Sequence, residues 1–119
     1  MKTLLLSFLA ALATAADTPS ISGKWEVYTS ISGNESKQSC TFTQKDDALT
    51  GSCVSDRGTV EISGNVKGVK VAWSYKSEYN GTPLTVNYDG SWEATPRIKG
   101  NVTVPEFGAA GDFTATPPK

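Results

Sequence analysis

The chain has 119 residues, a formal net charge of −1, two cysteines and no histidine. Near-neutral charge without a run of one sign provides no basic patch, so nucleic-acid and anionic-membrane partners are disfavoured. The missing histidine excludes Ser-His-Asp and Cys-His catalysis, the usual zinc ligand and the ordinary side-chain pH switch.

Residues 1–16 read as a secretory signal peptide. Met1-Lys2 gives a positive start, Leu4 to Leu12 a short apolar run, and Ala13-Thr14-Ala15-Ala16 a small-residue cleavage region. The run is too short to cross a bilayer. The expected product is secreted or periplasmic, with no membrane attachment after cleavage. Residues 17–22 are then an arm, 23–116 a single domain and 117–119 a tail.

The domain alternates apolar and polar residues with period two, punctuated by Gly, Pro, Asn and Asp. Eight strands are predicted, over 23–31, 38–44, 49–55, 58–66, 69–77, 84–92, 97–104 and 111–116. Trp25 and Val27 lead the apolar face of the first. Val60 and Ile62 do so in the fourth, with Val69, Val71, Trp73 and Tyr75 in the fifth. The sixth carries Leu84, Val86, Tyr88 and Trp92, the seventh Ile98 and Val102, and the eighth Phe113. One apolar and one polar face per strand, with short connections, is the pattern of an antiparallel sheet. Eight such strands predict an all-β, up-and-down antiparallel barrel, which leaves no exposed edge. A β-sandwich is the alternative.

The second and third strands contain both cysteines, in CTFTQKDDALTGSC, residues 40–53. A two-residue loop at Asp46-Asp47 would place Cys40 opposite Cys53 in a non-hydrogen-bonded pair, with Cα atoms about 4.5 Å apart. A four-residue loop over 45–48 keeps the same residues opposite. A disulfide within the hairpin is predicted, since the signal implies an oxidising compartment. Two thiols without a third cysteine or a histidine do not complete a zinc shell. No metal or other cofactor is expected.

Alternate loops of such a barrel fall at one end. Loops 32–37, 55–57, 78–83 and 105–110 share the loop-rich rim, while 45–48, 67–68 and 93–96 share the other with the N-terminus. Tyr79 and Phe107 stand in the longer loops, either plugging the barrel end or forming a contact surface. The row Trp25, Phe42, Trp73, Tyr75, Tyr88 and Phe113 either fills the interior or lines an apolar pocket. Trp92, beside Pro96 and Arg97, is expected to stack on the Arg97 guanidinium. Asp46-Asp47 reads as a turn. Asp89, Glu93 and Asp112 are too scattered to form the facing pair that glycoside hydrolysis needs.

Ile21-Ser22-Gly23-Lys24-Trp25 resembles the Gly-x-Trp signature of the calycins, which include lipocalins and avidins. Leu49-Thr50-Gly51, Ile62-Ser63-Gly64-Asn65-Val66, Val71-Ala72-Trp73 and Tyr88-Asp89-Gly90 resemble small secreted bacterial β-barrel domains of the same pattern. The resemblance implies a calycin-like barrel of a kind that mostly has no assigned function, and the residues themselves offer no catalytic constellation. The opening strand and the cysteine-bearing second strand are also similar to small periplasmic calycin inhibitors of metalloproteases, which act through an N-terminal arm. The expected function is therefore a non-enzymatic binding module for a small apolar ligand or a protein partner. Trp73, Tyr75, Tyr79, Asn80, Leu84 and Phe107 are the candidate binding residues. The alternative is a protease inhibitor acting through the arm Asp17 to Ser22.

Overall fold

The computed structural model describes residues 20–93 and 96–118. The expected signal peptide and Asp17 to Pro19 lie outside the described residues. Eight strands are formed: β1 Gly23–Ile31, β2 Asn34–Lys45, β3 Ala48–Ser55, β4 Gly58–Lys67, β5 Lys70–Tyr79, β6 Thr82–Glu93, β7 Arg97–Val104 and β8 Ala109–Thr116. Each pairs antiparallel with the next in sequence, and β1 pairs with β8. The sheet is therefore a closed up-and-down barrel, and the sandwich alternative falls.

Period-two alternation places the apolar residues inside. Val27, Cys40, Phe42, Leu49, Val71, Ile98, Val102, Phe113 and Ala115 are essentially inaccessible to solvent. The outer surface presents Lys24, Thr41, Thr43, Glu61, Asn65, Lys99 and Asn101, all exposed, and the half-buried Glu26. That face lacks the apolar band of a barrel that sits in lipid. Among the described residues no helix is long and apolar enough to span a membrane.

The cysteine hairpin has the expected register. Lys45 faces Ala48, Phe42 faces Gly51 and Cys40 faces Cys53, so the loop is the two-residue one at Asp46-Asp47. The disulfide is formed, with Cα atoms 4.0 Å apart and both sulfurs in the core. Glycine is required where strands crowd inward. A Cβ at Gly90 would sit 2.8 Å from Phe113 Cζ and 2.7 Å from the Lys99 carbonyl oxygen.

The structure corrects the loop lengths. β2 begins at Asn34 rather than 38, and the loop expected over 32–37 is the two-residue turn Ser32-Gly33. The loop expected over 78–83 is likewise Asn80-Gly81. Both residues of each turn have positive φ, 50° and 83° in one and 52° and 82° in the other. Turns of that hand continue the strand twist, so the ladder runs to the tip. Val69, read as the inward start of the fifth strand, is instead half-exposed in the turn before β5. The stretch 105–110 is a 3-10 turn, Pro105–Phe107, followed by Gly108 and the start of β8.

Candidate functional site

The two ends of the barrel differ. At the base, where the N-terminus enters, the chain is sealed. Ile21 is 0% exposed and held on three sides. Its backbone N–H donates to Gln44 Oε1 at 3.0 Å, and its carbonyl accepts from Trp25 Nε1 at 2.9 Å. The Gln44 backbone N–H donates to Ser22 Oγ at 2.9 Å. Two further bonds stitch the basal turns: Val66 N–H to the Asp47 carbonyl at 2.8 Å, and Trp92 N–H to the Val69 carbonyl at 2.7 Å. Trp92 packs edge-on against Trp25, with ring centroids 5.6 Å apart. The expected stacking of Trp92 on Arg97 does not occur. Glu93, four residues earlier, takes the guanidinium through a 2.8 Å bond from Nε and an ion pair from the terminal nitrogen. A carboxylate in reach outcompetes a ring face for that cation.

Above this seal lies a floor of aromatic rings. Trp73 stacks on Tyr88 at 4.8 Å, and Phe42 and Phe113 close on Trp73 at 4.9 and 5.2 Å. The rings fill the lower interior. The Tyr88 hydroxyl reaches up to Thr29 Oγ1 at 3.4 Å and Gln38 Oε1 at 3.5 Å. Burial, then the nearby Tyr75, push the Tyr88 phenol well above the ordinary tyrosine range. It is therefore a neutral hydroxyl at any physiological pH.

The opposite end is open. A concavity of about 360 Å³ is lined by Ile31, Tyr75, Leu84, Val86, Val104 and Phe107, with Asn34, Arg57 and Glu78 at its margin. A larger and more enclosed concavity of about 1180 Å³ continues from it past Ser36, Gln38, Ser55 and Val60 and is bordered by Glu35, Lys37 and Asp56. The walls are therefore apolar on the β5–β8 side and polar on the β2–β3 side. Among the described residues no charged side chain is buried with the aromatic floor.

Of the six candidate binding residues, the structure gathers Tyr75, Tyr79, Leu84 and Phe107 around the mouth. Trp73 lies below them in the packed floor. Asn80 occupies the first position of the β5–β6 turn and does not line the concavity. Tyr79 and Phe107 do not fold across the opening. They stay 58% and 50% exposed and meet edge to face, 6.1 Å apart, as one side of the rim. The rim is built from strand ends rather than from long loops.

Sequence reasoning missed Ile31, Asn34, Arg57 and Val104 as lining residues. A signal was present in β2. Ser36 and Gln38 are in phase with inward Cys40 and Phe42, so polar side chains continue a buried face. That switch marks where the interior meets water.

One carboxylate shapes the rim. Glu106, in the 3-10 turn, accepts the Thr85 backbone N–H and the Thr85 hydroxyl, both at 2.9 Å. Thr85 Oγ1 also accepts from Lys76 Nζ at 3.0 Å. The Thr85 N–H lies beyond the last β6–β7 pair, Asn87–Thr103, and would otherwise have no ladder partner. The backbone bond from Thr85, assisted by Lys76, holds the Glu106 carboxyl below the usual glutamate range. This clamp fixes the turn that carries Phe107.

Asp89, Glu93 and Asp112 do not converge. Asp89 and Asp112 flank Asn101 on the outer surface, and Glu93 is paired with Arg97 at the base. Among the described residues no group of three or more Cys, Asp or Glu side chains could hold a metal ion. The mouth offers hydroxyls, amides, the Arg57 guanidinium and the Glu78 carboxylate around a partly apolar hollow. Such a lining can hold and orient a molecule.

Comparison with protein-family models, with curated proteins and with solved structures returns no match to this chain.

Proposed function

We propose that the chain is a calycin-like, non-catalytic binding module whose open barrel mouth takes a small, largely apolar ligand. The observation that carries the reading is the concavity of about 360 Å³ above a closed aromatic floor. An eight-stranded barrel has room either for its own side chains or for one small ligand. Here the lower half does the first and the upper half leaves space for the second. Binding pockets start near about 300 Å³ and join apolar walls to a few polar groups. Ile31, Leu84, Val86 and Val104 are such walls, and Asn34, Arg57, Glu78 and the Tyr75 ring end are the polar margin.

The disulfide supports a secreted or periplasmic setting, because such bonds persist in oxidising compartments. The arm-based inhibitor reading has less support. Ile21 and Ser22 are bound into the barrel base, so from Ile21 onward the arm does not project toward a partner.

The test is titration of the oxidised protein with an apolar fluorescent dye. Saturable binding at one site, weakened at least about tenfold by Leu84→Glu, supports the reading, because a charge placed on an apolar wall is costly to desolvate. Equal binding by the variant, or none by either protein, counts against it.

A further inference from the structure

The ladder between β4 and β5 stops short of the mouth. Its last pair is Ser63–Ser74, although β4 starts at Gly58 and β5 runs to Tyr79. Beyond that pair β5 is held by β6 alone. The β5–β6 turn has two residues, so its closing pair, Tyr79–Thr82, is hydrogen-bonded and the pairs alternate from there. Lys76 and Glu78 therefore direct their backbone N–H and C=O groups away from β6, toward an absent neighbour. β6 shows the same phase. Pro83, which has no N–H, faces Glu78, and Thr85, facing Lys76, sends its N–H out of the pair to Glu106. Lys76, Ser77, Glu78 and Tyr79 are all exposed. A free row of this kind is a template for another strand.

We infer that a second copy of the chain covers this edge, β5 against β5, about a two-fold axis through Ser77. The edge is self-complementary in that register. Lys76 of each copy meets Glu78 of the other in the two hydrogen-bonded pairs. Tyr75 meets Tyr79 in the closely spaced pairs on either side. Opposite charges and aromatic rings facing each other across strands both stabilise such a pairing, and an isologous contact closes as a dimer. The two nearest registers that keep the hydrogen bonds set Lys76 against Lys76 or Glu78 against Glu78. Like charges directly opposite destabilise, so charge selects the one register. The outward Lys76 ammonium, now at Thr85, would then lie between Glu106 and Glu78 of the other copy. The edge belongs to the strand that also supplies Tyr75 and Tyr79 to the mouth, but the pairing follows from its backbone phase and charges and does not rest on what the mouth binds.

Sedimentation equilibrium of the oxidised protein tests this. The expected result is a monomer–dimer equilibrium. Lys76→Glu and Glu78→Lys each set like charges opposite in both pairs, so each weakens association by about tenfold. Mixing these two variants restores it as a heterodimer, since two acids on one copy then face two lysines on the other. Glu78→Pro removes an edge N–H that β6 does not use, and abolishes association. A monomer at every concentration, or a dimer indifferent to all three substitutions, overturns the inference.

Discussion

Trp73 and Tyr88 stack 4.8 Å apart with their planes 12° from parallel, on neighbouring strands and wholly inside the barrel. This pair divides the interior. Below it rings and aliphatic side chains fill the space, and above it the barrel is open. Trp73→Ala should cost about 3–5 kcal/mol in chemical unfolding, the usual penalty for emptying a packed aromatic site. Tyr88→Phe should cost no more than about 1 kcal/mol, since the hydroxyl's contacts are long, at 3.4 and 3.5 Å. Equal costs for the two would mean that the hydroxyl network, and not ring packing, holds the floor.

The Cys40–Cys53 bond closes a loop of 13 residues in sequence separation. Replacing both cysteines with alanine should lower stability by about 3 kcal/mol, through greater freedom of the unfolded chain. Denaturant titration of the two proteins under oxidising conditions measures it. An unchanged midpoint would show that the staple adds nothing to a ladder already complete.

The cysteine pairing was legible in the sequence, because the cysteines share one parity about Asp46-Asp47 and disulfide geometry tolerates few separations, whereas the choice between a two- and a four-residue loop was not. The closed barrel was legible for a similar reason: alternation fixes which face turns inward. The length of β2 was not. Asn34, Ser36 and Gln38 face inward like Cys40, yet they are polar because the mouth is wet, so alternation of apolar residues ended early. The mouth itself was only half legible. Tyr75 and Leu84 follow from parity, whereas Arg57 reaches the rim through the β3–β4 turn, a placement that depends on strand stagger rather than on pattern. Trp92 was misplaced because its choice between Arg97 and Trp25 is made by tertiary contact.

Ile21 is fully buried at the base although it precedes β1. Ile21→Ala should cost about 2–5 kcal/mol, as for other buried isoleucines. Dye binding at the mouth should be unchanged in conditions where the variant remains folded. Loss of dye binding by the folded variant would join the two ends of the barrel, contrary to the division described above.

The Glu106 clamp gives a pH dependence of known sign. Its folded carboxyl titrates lower than an unfolded glutamate, so the clamp's stabilisation is present above the ordinary glutamate range. It is lost as the pH falls through the depressed folded value. Hydrogen exchange at the Thr85 amide should therefore accelerate in acid, relative to amides held in the β6–β7 ladder, and Glu106→Ala should show that faster exchange at neutral pH. A Thr85 amide equally protected in the variant would mean that the 3-10 turn is held by other contacts.

The central claim is a barrel filled below and open above, with the opening as the binding site. NMR chemical-shift mapping during titration with an apolar dye tests it most directly. The account predicts perturbations concentrated on Ile31, Tyr75, Leu84, Val86 and Val104, with Ile21, Leu49 and Ile98 at the base unmoved. Shifts centred on the base, or spread evenly over the outer surface, would contradict it.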